Sequence, residues 1–237
     1  MRKPEPCGVD LLTSVIAACR ELARSRLSHG TTGNVSARRD AQSFVVSPSG
    51  MDYEALVVDD IPVVDLQGRW FGRCRPSSEW RFHRDIYKLR DDVGAIVHTH
   101  SRNATALACT GRGIPAFHYM VAVAGGPDIR CAPYQPFGTQ ELSDAALAAL
   151  KDRKACLLAN HGVIATGVDL TAALLLASEV ENLASQYCAA LALGQVRVLD
   201  EAQMRLVLER FRTYGQQNAV DPDLAFGGAQ LPPVQEN

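Results

Sequence analysis

The sequence predicts a layered α/β domain, a sheet with helices on both faces. Three observations predict it. Several long segments carry apolar residues at helical spacing. Between them lie short apolar runs of strand length, bounded by Gly, Pro, Ser and Asn. The two kinds of segment alternate along the chain, in a pattern compatible with either a parallel or a mixed sheet.

From the N-terminus, Asp10 to Leu27 places Leu11, Leu12, Val15, Ile16, Cys19, Leu22 and Ala23 on one helical face. Gly30 and the run Gly30-Thr31-Thr32-Gly33-Asn34 end that helix in a loop. Ser43 to Val46 reads as a strand, Ser47-Pro48-Ser49-Gly50 as a tight turn, and Ile61 to Val64 as a second strand closed at Gln67-Gly68. Pro76-Ser77-Ser78 reads as a helix start, with Glu79 in the first turn and the helix running to about Leu89. Gly94 to Val97 is a strand ending in His98-Thr99-His100, followed by a short helix from Arg102 to Cys109. Thr139 or Ser143 opens a helix from Leu142 to Leu150, and Ala155 to Leu158 is a strand ending in Asn160-His161-Gly162. Leu170 to Leu193 is a long helix with the apolar run Ala172 to Ala177 in its core, and Glu201 to Tyr214 is another. The last segment, with its Gly-Gly and Pro-Pro pairs, reads as a flexible tail.

A chain of 237 residues fits one domain or two small ones and can bury a sizeable core. A net charge of −2 excludes broad attraction to nucleic acid or to an anionic membrane, so any bound phosphate must be held locally. The seven cysteines, at 7, 19, 74, 109, 131, 156 and 188, form no CxxC pair and argue against a disulfide framework. No apolar h-region follows the first charges, and no apolar run reaches membrane-spanning length; a cytoplasmic location is the expectation.

The chemistry-bearing candidates are few. His98 and His100, two apart on a strand, point to one face and are placed to grip one metal ion. His161 ends another strand, and the following Gly162 lets the backbone turn so that the ring can be aimed. Three imidazoles with one position open are a common catalytic zinc arrangement, although a lone HxH pair is a weak motif. Glu79 alone reads as a helix-end acid favoured by the macrodipole. His29, His83 and His118 have no metal spacing, and His83, four after Glu79, reads either as its neighbour on a helix face or as a residue that supports a metal ligand from behind. The Gly30–Asn34 loop, Ser49-Gly50 and Ser77-Ser78 offer backbone N–H groups and hydroxyls to an anion. The sequence contains neither GxxxxGK[ST] nor a GxGxxG after a strand, which counts against a nucleotide P-loop and a dinucleotide fold.

These residues sit in longer strings: GTTGNVS at 30–36, SPSG at 47–50, PSSEWRFH at 76–83, VHTH at 97–100, FHYMVAVAGG at 117–126, CAPYQPFGT at 131–139, NHG at 160–162 and FRTYG at 211–215. On them the chain resembles the class II aldolase and adducin head-domain family, and within it the bacterial L-fuculose 1-phosphate aldolase branch. The resemblance implies a single three-layer α/β/α sandwich with a central mixed or antiparallel sheet over residues 1–215, with 216–237 a flexible tail. It implies a Zn2+ ion on His98, His100 and His161, with Glu79 as fourth ligand and then as proton carrier. It implies a phosphate cradle of Gly33, Asn34, Ser49, Gly50, Ser77 and Ser78, and an aldehyde pocket shaped by Phe137, Phe211 and Tyr214, with Tyr214 and Tyr119 as catalytic tyrosines. Tyr119 sits where the family has a tyrosine reaching into a neighbouring subunit's site, so a homotetramer with sites between subunits is implied.

The activity the resemblance implies is reversible cleavage of a ketose 1-phosphate, L-fuculose 1-phosphate or a relative, to dihydroxyacetone phosphate and a small aldehyde such as lactaldehyde. Aldolases for 5-deoxyribulose 1-phosphate or 5-methylthioribulose 1-phosphate are the near alternatives. Pentulose-phosphate 4-epimerases share the resemblance but carry Asp where Glu79 stands. A methylthioribulose 1-phosphate dehydratase shares it too, but the WRFH and FHYM strings favour the aldolases. A non-catalytic module like the adducin head domain is expected to have lost the ligands that this sequence retains.

Overall fold

The computed structural model describes residues 8–212. The predicted tail, Cys7 and Tyr214 lie outside the described residues. Among the described residues eight strands and six α-helices follow one another. Helix α1 is Gly8–Arg24, followed by β1 Asn34–Arg38, β2 Ser43–Val46, β3 Val63–Asp65 and β4 Trp70–Phe71. Helix α2 is Trp80–Leu89, followed by β5 Ala95–Thr99, α3 Arg102–Ala108 and β6 Cys131–Ala132. The rest are α4 Gln140–Ala149, β7 Ala155–Leu158, β8 Gly162–Gly167, α5 Leu170–Leu193 and α6 Glu201–Phe211.

The strands form one sheet in the order β4-β3-β2-β1-β5-β8-β7-β6. Every neighbouring pair is antiparallel except β6 with β7, so the sheet is mixed. Side-chain alternation along each strand divides the core in two. Val35, Ala37, Val45, Val97, Leu157, Val163 and Ala165 face a layer containing α1, α3 and α5. Phe44, Val46, Val64, Ile96, Cys156, Leu158 and Ile164 face α2 and α4. This is the expected α/β/α sandwich. His98 continues the row of Ile96 and so lies on the α2 side.

Element boundaries depart from the sequence reading where local bonds compete with periodicity. Ile61 closes a 3-10 turn on Val58 O instead of opening β3. Glu79 is the residue before α2 and not in its first turn; its side chain caps nothing and is aimed elsewhere. Thr139 is the cap of α4, accepting from Leu142 N at 3.2 Å. The run Tyr119–Ala124 is a 3-10 helix. Four strands escaped the sequence reading: β1, β4, β6 and β8. Two of these, β4 and β6, span two residues each.

Candidate metal centre and substrate pocket

Three segments distant in sequence meet at one end of the central strands. His98 is fully buried near the end of β5, wedged between β1 and β8 through pairs with Asn34 and Ile164. His100 follows two residues on, on the same face. The β7–β8 hairpin supplies His161. The residue with the left-handed backbone here is Asn160, at φ 54°, a conformation Asn tolerates. Gly162, expected to make the turn, is needed for a different reason. A Cβ there would overlap the Thr99 carbonyl oxygen and stand 2.9 Å from His100 Cδ2.

Glu79 reaches the histidines from the entrance of α2. Its Oε2 lies 3.2 Å from His98 Nε2, and its Oε1 lies 3.1 Å from His161 Nε2. The Nε2 atoms of His98 and His100 are 3.0 Å apart. One ligand atom from each of Glu79, His98, His100 and His161 falls within 4.8 Å of the others. His98 Nδ1 lies 2.8 Å from Val163 O. A carbonyl can only accept, so Nδ1 carries the proton and Nε2 presents its lone pair to the cluster.

A divalent ion fits these residues. Oε1 of Glu79 is buried and makes no hydrogen bond. An orphaned carboxylate oxygen facing converging imidazole nitrogens is what a cation would satisfy, and three His with one carboxylate is a donor set suited to zinc. The electrostatics agree. Burial opposes the charge on Glu79, but His98 and His161 outweigh it and hold the carboxyl far below its usual range. Burial also opposes charge on His98, but Glu79 beside it raises the imidazole above its usual value. Burial, reinforced by the other two rings, pushes His100 down to about 4.

A cavity of about 320 Å³ opens beside this cluster. Gly33, Asn34, Ser49, Gly50, Ser77, Ser78 and Phe137, all expected from the sequence, line it together with Glu79, His100 and His161. Gly33 holds φ +78°, and a Cβ there would stand 2.7 Å from His98 O, so the loop can approach the strand end only as glycine. Ser77 Oγ accepts from Glu79 N at 3.2 Å and keeps its proton to donate. Among the described residues no Arg or Lys lines this cavity, which leaves amides and hydroxyls as its anion donors. The side chain of Asn34 is engaged with Glu79 and His83 instead, which the sequence did not suggest. Thr31 and Thr32, from the loop already read as an anion site, also line the cavity; Tyr134, Gln135 and Asn160 do too and were missed. Tyr134 and Gln135 lie within the quoted CAPYQPFGT string, the one signal that pointed at them.

Tyr119 and Phe211 are not brought to this cavity. Their rings lie 6.4 Å apart, where α6 packs on the 3-10 helix, and Tyr119 is about half exposed.

Residues 13–188 match the class II aldolase and adducin N-terminal domain family. The chain is 52% identical over 207 residues to a 5-methylthioribulose-1-phosphate/5-deoxyribulose-1-phosphate aldolase of Rhodospirillum rubrum, covering 87% of this chain and 93% of that protein. It is 47% identical over 206 residues to the L-fuculose phosphate aldolase of Escherichia coli K12, covering 86% and 95%. Among solved structures it is similar to an L-fuculose 1-phosphate aldolase at a TM-score of 0.84 and 40% identity, covering 89% of this chain and all of that one. The chain belongs to the class II aldolase and adducin N-terminal domain family. Within it, the relatives named make it a class II aldolase, a lyase. No helix among the described residues is long and apolar enough to cross a membrane.

Proposed function

We propose that this aldolase uses one Zn2+ per chain, held by His98, His100, His161 and Glu79, to cleave a ketose 1-phosphate reversibly to dihydroxyacetone phosphate and a small aldehyde. The observation that carries the reading is the buried Glu79 carboxylate converging with three imidazoles, at the edge of an anion-suited cavity.

Breaking the bond between C3 and C4 leaves an electron pair on C3 that must flow toward the C2 carbonyl. When bound, the ion supplies electrophilic stabilisation of the charge developing on the sugar oxygens. Glu79 moves the proton at C3, for which a carboxylate at the cavity edge is suited. Amides and hydroxyls of Gly33, Ser49, Gly50, Ser77 and Ser78 hold the phosphate, and that remote binding energy places the reacting carbons. Asn34 contributes to the cradle through its backbone, since its side chain is engaged with Glu79 and His83. Phe137 shapes the aldehyde end from the same chain.

Tyr119, Phe211 and Tyr214 act across a subunit boundary in a homotetramer, Tyr119 and Tyr214 as catalytic tyrosines and Phe211 at the aldehyde pocket. Supporting this, Tyr119 and Phe211 lie together and outside the cavity of their own chain.

On the 47% identical relative, the leading substrate is L-fuculose 1-phosphate, which yields lactaldehyde. The 52% identical relative favours a second reading, 5-deoxyribulose 1-phosphate or its methylthio counterpart, which yield acetaldehyde or methylthioacetaldehyde. Incubating the enzyme with dihydroxyacetone phosphate and each of the three aldehydes, then identifying products, separates these. Formation of no new carbon–carbon bond with any of them would overturn the proposal.

A further inference from the structure

A line of buried polar side chains runs away from the metal cluster into the layer between β1 and α2. Asn34 Nδ2 donates to Glu79 Oε2 at 3.0 Å. Asn34 Oδ1 meets His83 Nε2 in a short hydrogen bond. His83 Nδ1 lies 2.7 Å from Ser36 Oγ, and Ser36 Oγ lies 2.8 Å from Tyr87 Oη. Asn34, Ser36, His83 and Tyr87 are each no more than 2% exposed.

Chemistry gives every bond in this line a direction. An ionised carboxylate only accepts, so the Asn34 amide must turn its N–H to Glu79 and its oxygen to His83. His83 Nε2 must then carry a proton. A neutral imidazole has only one N–H, so Nδ1 accepts, and Ser36 donates to it. The Ser36 oxygen in turn accepts from the Tyr87 hydroxyl. His83 is neutral because burial pushes it down to about 3. Its ring is stacked on Phe82, with centroids 4.5 Å apart, and it also faces Phe44 and the metal-side His98. Tyr87 is held from outside by the Arg38 guanidinium, 4.8 Å from its ring centroid.

We propose that Ser36, His83 and Tyr87 form with Asn34 a one-way hydrogen-bond relay that fixes the Asn34 amide and so positions the Glu79 carboxylate for metal binding and proton transfer. This rests on the proposed role of Glu79. The four are positioning residues and act through Glu79. An apolar cluster would fill the same space at no cost in desolvated polar groups, so stability alone does not account for it. The relay also ends on one carboxylate oxygen, Oε2, and leaves Oε1 without a hydrogen bond. With the wrong His83 tautomer, Asn34 would turn its own oxygen toward an anion.

The test is His83→Phe in metal-loaded protein, with Ser36→Ala as the milder variant should the first fail to fold. Three quantities are read: the rate of metal transfer to a coloured chelator, the visible spectrum of the Co2+-substituted protein, and kcat and KM for the substrate. Loss of an outer partner of a metal ligand typically costs about 10- to 100-fold in metal affinity or activity. The expectation is metal transfer about tenfold faster or more, an altered Co2+ spectrum, and a similar fall in kcat at unchanged KM. Because His83 works through Asn34, adding His83→Phe to Asn34→Ala should not speed metal transfer further. Folded His83→Phe or Ser36→Ala protein with wild-type transfer rate and Co2+ spectrum overturns the relay, whatever its melting temperature. The metal readouts need no substrate, so a wild type inactive on every ketose phosphate would sink the proposed reaction while leaving the relay tested.

Discussion

Substituting Gly162 by alanine adds one methyl group at the closest approach in the metal cluster. The new Cβ would overlap the carbonyl oxygen of Thr99 and stand 2.9 Å from His100 Cδ2 and 3.3 Å from His98 Cε1. Carbon atoms pack at about 3.5 Å or more, so the His100 ring must retreat by roughly 0.6 Å. Thr99 O belongs to the backbone and can yield only if the end of β5 moves off β8, where Thr99 pairs with Val163. Overpacking of this kind costs about 1–3 kcal/mol, or roughly 2–12 °C in melting temperature for a chain of this size. The larger effect falls on the site, because displacements approaching 1 Å cost on the order of 100-fold in turnover. Melting curves, chelator competition for the bound metal and steady-state rates measure the three effects. Gly111→Ala is the control for backbone strain alone: a Cβ there meets nothing within 4 Å, but φ is +66°. If Gly162→Ala lowers the melting temperature yet keeps wild-type metal affinity and turnover, the close approach of Gly162 does not set the ligand geometry.

Other expectations follow from the same arrangement. Elemental analysis should find one zinc per chain, and His98→Ala should lose it; full occupancy in the triple alanine variant of His98, His100 and His161 would refute the ligand set. Glu79→Gln should keep metal on the three histidines but lose at least ~100-fold in turnover, most directly seen as failure to exchange the C3 proton of dihydroxyacetone phosphate with deuterated water. Exchange at the wild-type rate would assign the proton to another group. Because His83 is depressed to about 3 in the folded protein, its unfolded form binds a proton first as acid is added. Its contribution to stability is therefore complete above pH ~6.5 and is lost as the pH falls toward about 3; His83→Phe should flatten that part of the urea-midpoint profile of metal-stripped protein, and an unchanged slope would contradict a neutral His83. Sedimentation at assay concentrations should find an oligomer, and an active monomer would remove the shared-site reading of Tyr119.

Much of this site was legible because strand periodicity is rigid. His98 and His100 had to share a face once Gly94–Val97 was read as a strand. The hairpin histidine was legible from an apolar run and a glycine, although the left-handed residue is Asn160. The aim of Glu79 was legible only through the family resemblance, since an acid beside a helix start has an ordinary explanation in the helix dipole. A supporting position for His83 was one of two readings, but its partners were hidden for a topological reason. Its partners Asn34 and Ser36 belong to β1, where Val35 and Ala37 alternate with polar residues over a run too short, and too close to the Gly30–Asn34 loop, to have been read as a strand. That strand sits beside β5 only through long-range pairing, and no local pattern records that neighbour. The shortest strands, β4 and β6, are added at the sheet edges by neighbours and leave too few residues for any period to show.

The candidate ligands also have a consequence for the chain as a polymer. Glu79 precedes α2, His98 and His100 leave the centre of the sheet, and His161 sits in a hairpin far along the sequence. An ion gripping all four is a reversible cross-link that closes two successive loops, a short one through α2 and a long one through α3, β6, α4 and β7. Holding those loops closed removes configurational freedom from any partly opened chain that retains the ion. The ligands meet only when β5 and β8 are paired, so opening the sheet there must release the ion, and bound metal opposes that opening. Resistance to unfolding should then rise with the logarithm of free metal concentration, and hydrogen exchange in β5 and β8 should slow in step with it.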